Sequence, residues 1–370
     1  MALAAVPEAG QDLLGLLPRE LLLHLRRSYL PPGSGAVMRD SCRWLCDWWD
    51  EGSTKLTLGL RVHGDAPDND AVVRMVQRLP GLASLRVTQW WPRVRWGEVL
   101  AAAAPGLRSL EVAGCVAQDV PLPAIAVAPC AGSLQRLCLH RSGARVLDAL
   151  APCMALRHLD LSCSTRLDDL GALAALTALQ HLDLSGCTQV DDLEPLRALA
   201  ALQHLDLSYC AAAEDLGPLA ALAALRELHM GHCQGVTHLD ALGALTALRC
   251  LVMPCCQGVT DLGALSACAA LQVLQIGDCT QVAGLAPLAA CTALQRLQIS
   301  RCSRVTDLAP LHALTALELL DISHCDNITD LAPLEGCTAL RHLNMWGSRA
   351  TDLTPLTALR HLSTRNGDPV

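Results

Sequence analysis

At three sites spaced 23 residues apart, the tripeptide His-Leu-Asp places an imidazole two residues before a carboxylate. An imidazole beside a carboxylate can transfer a proton or bind a metal. Stacked carboxylates would repel one another, so we expect the histidines next to them to titrate above the ordinary imidazole pKa. Duplication of one repeat unit, without a selected role for the histidines, explains the same pattern. The spacing of these residues does not favour a zinc-binding site. The residues are His158, Asp160, His181, Asp183, His204 and Asp206.

Cysteine is the other residue type that could do chemistry. The chain has 19 cysteines but no Cys-x-x-Cys pair, so the usual spacing of structural zinc sites is absent. Histidines lie beside Cys233 and Cys325, yet both cysteines fall at a recurring position that a repeat would bury, and we expect no Cys–His nucleophile. Phosphate-binding glycine loops, Gly-x-Ser-x-Gly and His-Glu-x-x-His are absent too. We therefore predict no catalytic residue, no metal, no cofactor and no enzymatic activity.

The His-Leu-Asp residues, Cys233 and Cys325 belong to a repeat that dominates the chain after about residue 130. Each unit follows LxxLxLxxCxx(V/I)xDLxPLxxLxx, and we number its positions from the first leucine as position 0. LxxLxL ends in a period of two, which predicts a short strand with one buried face, and one strand cannot bury its leucines without stacked neighbours. Degenerate units occur near Leu85 and Leu110, and residues 56–60 are predicted to form one further strand. The first leucines are Leu156, Leu179, Leu202, Leu225, Leu248, Leu271, Leu294, Leu317 and Leu340.

The second half of each unit returns the chain to the next strand. Asp at position 13 is followed by Leu and often by Pro, as in Asp192 and Pro195. An Asp cap before a first-turn Pro suits a brief helical or 3₁₀ segment. Paired carboxylates such as Asp168 and Asp169 are thus predicted to be caps. The position-13 aspartates are Asp169, Asp192, Asp215, Asp261, Asp307 and Asp330.

Over about residues 107–358 the pattern resembles the leucine-rich repeat family, and its Asp-Leu-x-Pro-Leu form resembles internalin-type repeats. The resemblance implies an α/β solenoid, a horseshoe with a concave parallel sheet and short 3₁₀ or helical segments on its convex side. Position 8 in this family commonly holds buried Asn or Cys, and we expect each thiol here to donate to one backbone carbonyl. Cys268, Cys291 and Cys337 are predicted to fill the core. The position-8 cysteines are Cys187, Cys210, Cys233, Cys256, Cys279, Cys302 and Cys325.

Residues 14–50 do not follow the repeat. LPRELL at 17–22, SCRW at 41–44 and TKLTL at 54–58 resemble an F-box placed before leucine-rich repeats, with a Pro/Gly-rich linker that departs from the F-box pattern. A plain helical cap on the first repeat is the alternative. The resemblance implies docking on a Skp-type adaptor of a cullin ubiquitin ligase through Leu17, Pro18, Leu21, Leu22, Leu25 and Trp44.

Positions 2, 4, 6 and 7 should line the solvent face of the sheet, where we expect a protein partner to bind. A less polar zone at Cys250, Val252, Pro254, Val273 and Gly277 is the preferred contact region, because exposed apolar patches mark partner sites. Tyr209 and Trp346, the rare aromatic residues on this face, are candidate anchors for the partner. The predicted partner-binding residues are His158, Asp160, His181, Asp183, His204, Asp206, Tyr209, Cys250, Val252, Val273, Gln275 and Trp346.

Composition bounds the remaining possibilities. Hydrophobic residues make up 52% and charged residues 17%, which excludes a disordered linker, and a net charge of −8 without a basic stripe does not suit nucleic acid. The sequence shows no basic leader and no apolar run of about 20 residues, so we expect no membrane and a cytoplasmic or nuclear protein with reduced thiols. The predicted segments are a tail (1–13), the F-box-like helical segment (14–50), irregular leading repeats (51–133), regular repeats (134–358) and a C-terminal cap or tail (359–370).

The preferred interpretation is a non-catalytic substrate-recognition subunit of a Skp–cullin–F-box-type ubiquitin ligase, which binds an unknown protein on the concave face. A general interaction scaffold without a ubiquitin role is the first alternative. A secreted or surface recognition protein, bearing the glycosylation sequon that begins at Asn327, is the second.

Overall fold

A computed structural model describes residues 55–58, 73, 76, 81–87, 96–102, 106–112, 130–141, 143, 147–359 and 363–364. The F-box-like segment 14–50, with its six predicted adaptor-binding residues, lies outside the described residues.

One sheet of fourteen parallel strands is present in the described part of the chain, and its strands follow one another in sequence order. Equivalent positions of successive units stack in register, so that Leu182 lies between Leu159 and Leu205. The predicted stacking is therefore confirmed, and the strand expected at 56–60 is observed at Lys55–Leu58. The strands are β1 Lys55–Leu58, β2 Ser84–Val87, β3 Ser109–Val112, β4 Arg136–Cys138, β5 His158–Asp160, β6 His181–Asp183, β7 His204–Asp206, β8 Glu227–His229, β9 Cys250–Val252, β10 Val273–Gln275, β11 Arg296–Gln298, β12 Leu319–Asp321, β13 His342–Asn344 and β14 Ser363–Thr364.

Short 3₁₀ segments form the opposite side of the solenoid. They stack on one another as the strands do. One α-helix, α1 (Trp96–Ala102), lies between β2 and β3, in the irregular leading part of the chain, and was not predicted. No helix among the described residues has both the length and the apolar character that crossing a membrane requires. The 3₁₀ segments are Ala131–Ser133, Asp148–Leu150, Gly171–Ala175, Glu194–Ala198, Gly217–Ala221, Asp240–Ala244, Gly263–Ala267, Ala286–Ala290, Ala309–Ala313, Ala332–Gly336 and Thr354–Ala358.

An aspartate two residues ahead of the first 3₁₀ residue caps most of these segments, as predicted. Asp169 Oδ1 accepts the Gly171 N–H at 2.7 Å, and Asp307 Oδ1 accepts the Ala309 N–H at 2.7 Å. The aspartate lies two residues before the first 3₁₀ residue, so it satisfies a backbone donor that the segment itself leaves unpaired. The same bond is made by Asp192, Asp215, Asp261, Asp330 and Asp352.

The core is a continuous column of leucine with smaller apolar residues between. Strand side chains alternate, as in β9, where Leu251 is fully buried between two half-buried neighbours. Each fully buried leucine contributes about 1.5–3 kcal/mol relative to exposure. Because every unit repeats this set, the buried residues join into one cluster along the described repeats.

The turns that follow strands β4 to β13 place position 7 of the unit in the left-handed region of backbone conformation. Tyr209 has φ 63° and its N–H donates to Gly231 O of the next unit at 2.8 Å. That conformation costs most residues about 1–2 kcal/mol relative to glycine, yet glycine occupies it at Gly186 and Gly347 alone among these ten described positions. The bulkier residues there are Arg141, Cys163, Tyr209, His232, Cys255, Asp278, Arg301 and His324.

Candidate binding face of the sheet

The position-8 cysteines form the ladder that the sequence predicted. Each thiol is buried and donates to a backbone carbonyl 26 residues earlier, in the preceding unit, at 3.0–3.3 Å. Burial raises the pKa of Cys302 to about 12, so its S–H donor is kept at neutral pH. At the two ends of the ladder, position 8 holds Ser164 and Ser348 instead.

A second series of cysteines lies directly after three of the 3₁₀ segments, at their C-terminal ends. Cys268, Cys291 and Cys337 are fully buried, which confirms their predicted role in the core. Their thiols also donate to carbonyls 26 residues earlier, at 3.2–3.4 Å. Sequence reasoning gave these three a packing role and missed the hydrogen bonds. The described cysteines of both series are therefore structural, and this geometry gives no support to a Cys–His nucleophile at Cys233 or Cys325.

Positions 2 and 4 of each unit form the outer face of the sheet, as expected. His158 and Asp160 are half-buried on either side of buried Leu159, and the same alternation recurs in the strands that follow. Within the described residues the strands pack beside other strands and the 3₁₀ segments beside other 3₁₀ segments. No described element therefore covers this face.

Four histidines on this face touch one another across four strands. The rings of His158 and His181 are parallel with centroids 4.2 Å apart, and His204 lies 5.7 Å from His181. His229, at position 4 of the next unit, extends the series with a centroid 5.3 Å from that of His204. We call His158, His181, His204 and His229 the imidazole stack.

Titration of the imidazole stack differs from expectation. Burial, with further contributions from His181 and two arginines, lowers the pKa of His158 to about 4. Burial and the neighbouring His204 also lower the pKa of His181. The expectation of raised values is therefore wrong for these two, because burial disfavours the charged imidazole and, since the rings face one another, charging one disfavours the next.

The aspartates of the same strands are engaged by their own turns. Asp183 Oδ1 accepts the Ser185 N–H at 2.8 Å, and Asp206 Oδ1 accepts the Ser208 N–H at 2.8 Å. Such side-chain bonds two residues ahead define an Asx turn. Burial raises the pKa of Asp183 despite these bonds, and Asp160 and Asp206 add to the rise. The aspartate column thus ends each strand and shapes its turn.

One group on the face combines a thiol, an imidazole and a carboxylate. His229 Nδ1 lies 3.5 Å from Asp206 Oδ2. Asp206 and then Cys250 are the main influences that raise the pKa of His229, to about 10. Burial alone would raise the pKa of Asp206, but its bonds to His229 and Ser208 outweigh burial and lower it. We call these three residues the Asp206–His229–Cys250 cluster.

The less polar zone is present on β9 and β10. Val273 lies beside Cys250, and Val252 lies beside Gln275, all four half-buried. Gly277, which was expected on this surface, is buried instead, and a Cβ there would lie 2.8 Å from Ser300 Oγ. The structure therefore brings four of the predicted partner-binding residues into one patch.

The aromatic residues lie at the strand ends. Tyr209 is 55% exposed and its ring stacks parallel on His232 at 4.4 Å. Trp346 is 66% exposed and lies 5.9 Å from His324. Six strand spacings of about 4.8 Å place the two aromatic residues roughly 29 Å apart. A partner that used both as anchors would have to cross half of the sheet.

Two further predictions can be placed on the structure. Asn327 of the sequon is exposed, and its Nδ2 donates to Ser303 O at 2.6 Å, so the nitrogen that a glycan would need is already engaged. The described residues contain no group of three or more His, Cys, Asp or Glu side chains arranged to hold a metal ion.

A family model described as leucine-rich repeats (two copies) matches residues 155–198 and 315–361, so these two stretches are similar to leucine-rich repeats. No curated protein matches the sequence.

Solved internalins share the fold. An internalin (InlF) from Listeria monocytogenes str. 4b F2365 aligns at 20% identity with a TM-score of 0.61, over 83% of this chain and 91% of that chain. The functional domain of InlJ from Listeria monocytogenes, described as including a cysteine ladder, aligns at 15% identity with a TM-score of 0.52, over 78% of this chain and 69% of that chain. At these identities the likeness concerns the fold, a solenoid of parallel strands with short 3₁₀ turns.

Proposed function

We propose that the protein is a non-catalytic interaction scaffold that binds another protein on the outer face of its sheet. The observation that carries the proposal is the patch of Cys250, Val252 and Val273, because the strands on either side of it, β8 and β11, carry carboxylate, imidazole, guanidinium and amide groups at the same positions. Apolar surface that no neighbouring element covers marks a partner site. The regular backbone holds the patch in place, so little ordering entropy is lost on binding.

The double variant Val252→Asp/Val273→Asp tests this assignment. We expect it to weaken partner binding at least tenfold, because two charges would replace the apolar centre of the contact. Gln298→Asp is the matched control, since it adds a charge at position 4 of β11, beyond the patch. Cross-linking of the tagged full chain in cells, followed by mass spectrometry, identifies proteins that bind wild type and control but not the double variant. Binding of each identified protein is then measured with purified components.

Capture of the same set of proteins by the wild type, the Gln298→Asp control and the double variant would refute the placement of the partner on this patch. The circular dichroism spectrum of each variant separates loss of binding from loss of folding. Both valines are half-buried rather than fully buried, so their replacement leaves the leucine column intact.

More specifically, we propose a substrate-recognition role in a Skp–cullin–F-box-type ubiquitin ligase. The support is the LPRELL sequence at 17–22 and its position ahead of the repeats. In this proposal Leu17, Pro18, Leu21, Leu22, Leu25 and Trp44 dock on the adaptor. A cytoplasmic or nuclear location belongs to the same proposal, since the ladder thiols act as reduced S–H donors.

Co-purification of the full chain with a Skp-type adaptor and a cullin tests the ligase role. We expect recovery of both with the wild type, and loss of both with Leu17→Asp/Leu21→Asp. Leu14→Asp is the control, because Leu14 lies outside the LPRELL sequence. Failure of the wild type to recover the adaptor would leave the scaffold function without a ubiquitin role.

A further inference from the structure

We propose that the outer face of the sheet binds a protein segment that crosses the strands and is basic at one end, apolar in its middle and acidic at its other end. The basic end lies over Asp183 on β6, the middle over the apolar patch on β9 and β10, and the acidic end over Arg296 on β11. This inference rests on the proposed scaffold function and specifies the chemistry of the partner.

The acidic part of the face is centred on Asp183. The register places Asp160 on one side of it and Asp206 on the other, and ionised carboxylates are acceptors only. Burial raises the pKa of Asp183, and the two neighbouring carboxylates add to the rise. Arg136 on β4 is the diagonal neighbour of Asp160 and so lies two strands away from Asp183. A cation supplied by a partner would relieve the repulsion within this column.

Two other aspartates at position 4 are met by a donor from the next unit. Asp206 Oδ2 lies 3.5 Å from His229 Nδ1, and Asp321 Oδ2 accepts a hydrogen bond from Asn344 Nδ2 at 3.0 Å. The middle aspartate of the column has a carboxylate at that place instead. Because Asp321 is the diagonal neighbour of Arg296, its bond to Asn344 also directs its charge away from that guanidinium.

Charged residues of opposite sign flank the apolar patch at position 2. Glu227 on β8 lies beside Cys250, and Arg296 on β11 lies beside Val273. Glu227 Oε2 lies 2.9 Å from His204 Nδ1, whereas Arg296 is exposed and forms no ion pair with a residue that the structure describes. The charge on the face therefore changes from negative to positive across the patch, and a complementary segment has the opposite order.

Strand spacing sets the length of that segment. Asp183 and Arg296 are five strands apart, which is about 24 Å at roughly 4.8 Å per strand. An extended chain advances about 3.3 Å per residue, so the basic and acidic residues should be about seven positions apart. The patch begins three strands from Asp183, which places the apolar residues about four to six positions from the basic residue.

Arginine suits the basic end of the segment. Its planar guanidinium carries five N–H donors and can bond two carboxylates, such as Asp160 and Asp183 on neighbouring strands. Burial lowers the pKa of His158 to about 4 and also lowers the pKa of His181. The rings beside this end are therefore uncharged at neutral pH and do not repel a cation.

The probe is a phage-displayed library of random peptides of about 12 residues, which in extended form exceed the span above. It is selected on the native full chain at pH 7. We expect enriched peptides to carry Arg or Lys at one end, Asp or Glu about seven positions away in either direction, and apolar residues between them. The dissociation constant of one enriched peptide, made synthetically, is then measured by fluorescence anisotropy with each variant chain.

Asp183→Asn tests the basic end of the peptide. We expect it to weaken binding at least fivefold, and Asn keeps the Oδ1 acceptor for the Ser185 N–H, so that the turn is preserved. Asp192→Asn is the matched control, because it makes the same change in the same unit on the 3₁₀ side and keeps the acceptor for the Glu194 N–H. This control should stay within twofold of the wild type.

Arg296→Glu tests the acidic end. We expect it to weaken binding at least tenfold, and a peptide whose acidic residue is replaced by arginine should regain binding to this variant. Such an exchange of charges does not follow from misfolding. Gln298→Asp lies roughly 7 Å along the strand from Arg296, where charges interact weakly in water, so it should weaken binding by less than about threefold.

Three results would overturn the inference: no enriched peptide, enriched peptides without separated charges, or Arg296→Glu leaving the affinity unchanged. Val252→Asp/Val273→Asp separates this failure from failure of the scaffold function. Peptides that lose binding to that double variant alone would leave the apolar patch as the partner site and remove the charged ends. Peptides that bind every variant equally would contradict both proposals. Circular dichroism of each variant confirms that the comparison is between folded chains.

Discussion

The cysteine ladder predicts a measurable loss of stability on removal of one thiol. Cys302 is fully buried, and its sulfur lies 3.2 Å from Ile276 O. That carbonyl also accepts the Cys279 N–H at 3.2 Å, so Cys302→Ala leaves it with one partner rather than none. Loss of a buried group the size of one methylene costs about 0.8 kcal/mol. The hydrogen bond adds roughly 0.5–1 kcal/mol and incomplete collapse of the space adds more, for a total of about 2 kcal/mol.

The free energy of unfolding, from urea titration followed by circular dichroism, measures this loss. Cys255→Ala is the matched control, since this neighbouring thiol is half-buried and outside the ladder, and we expect it to change stability by less than about 0.5 kcal/mol. Cys302→Ser should not restore the loss, because a hydroxyl is shorter than a thiol and reaches less far towards the carbonyl. At the same position at one end of the ladder, the buried Oγ of Ser348 has no hydrogen-bond partner within the described residues.

Equal stabilities of Cys302→Ala and wild type would refute the reasoning. They would show that the sulfur neither fills its site nor contributes through its hydrogen bond. Full rescue by Cys302→Ser would refute the geometric part alone, since it would show that any donor at position 8 suffices.

Other predictions concern the caps and the imidazole stack. Asp307→Ala removes the acceptor for the Ala309 N–H and should lower the free energy of unfolding by about 1 kcal/mol, as measured by urea titration. His158 should titrate near pH 4 by NMR, so its contribution to stability is present above about pH 6.5 and is lost as the pH falls towards 4. A midpoint above 6 would contradict the stacked geometry. The pKa of His229 is raised, so its effect on stability has the opposite pH dependence: the contribution is present below about pH 6.5 and is lost as the pH rises towards 10. The wild type should therefore lose more stability over that pH range than His229→Gln.

The fold could be read from the sequence because the same local signals recur in register. LxxLxL defines a strand with one buried face, and a recurring Asp ahead of Leu and Pro defines the entry to a short 3₁₀ segment. Stacking of identical units then leaves one arrangement in which every leucine is covered. The position-8 thiols were predictable for the same reason, since a small buried donor repeats wherever the turn repeats.

The features that sequence reasoning missed depend on relations between units. Tyr209 and His232 carry no sign of a left-handed backbone, because bulky residues stand where glycine would have marked it. His229 and Cys250 are diagonal neighbours, at position 4 of one unit and position 2 of the next, and a column-by-column comparison does not reveal a diagonal. Tabulating diagonal neighbours would have found it. The direction of the His158 shift depends on ring contact and burial, which composition does not encode.

The ladder hydrogen bonds join only neighbouring units, and this limits how such a chain could change in length. Every S–H bond of the position-8 series runs from one unit to the unit before it, and the strand and turn bonds likewise join neighbours. Excision or duplication of a whole 23-residue module would therefore rejoin matching surfaces, with donors and acceptors again in place. The leading units, whose paired residues Ser84, Ser109, Arg136 and His158 lie 25, 27 and 22 residues apart, still stack in register, so the segment between strands tolerates a change of a few residues. Tandem duplication is the route that preserves both the strand and its turn.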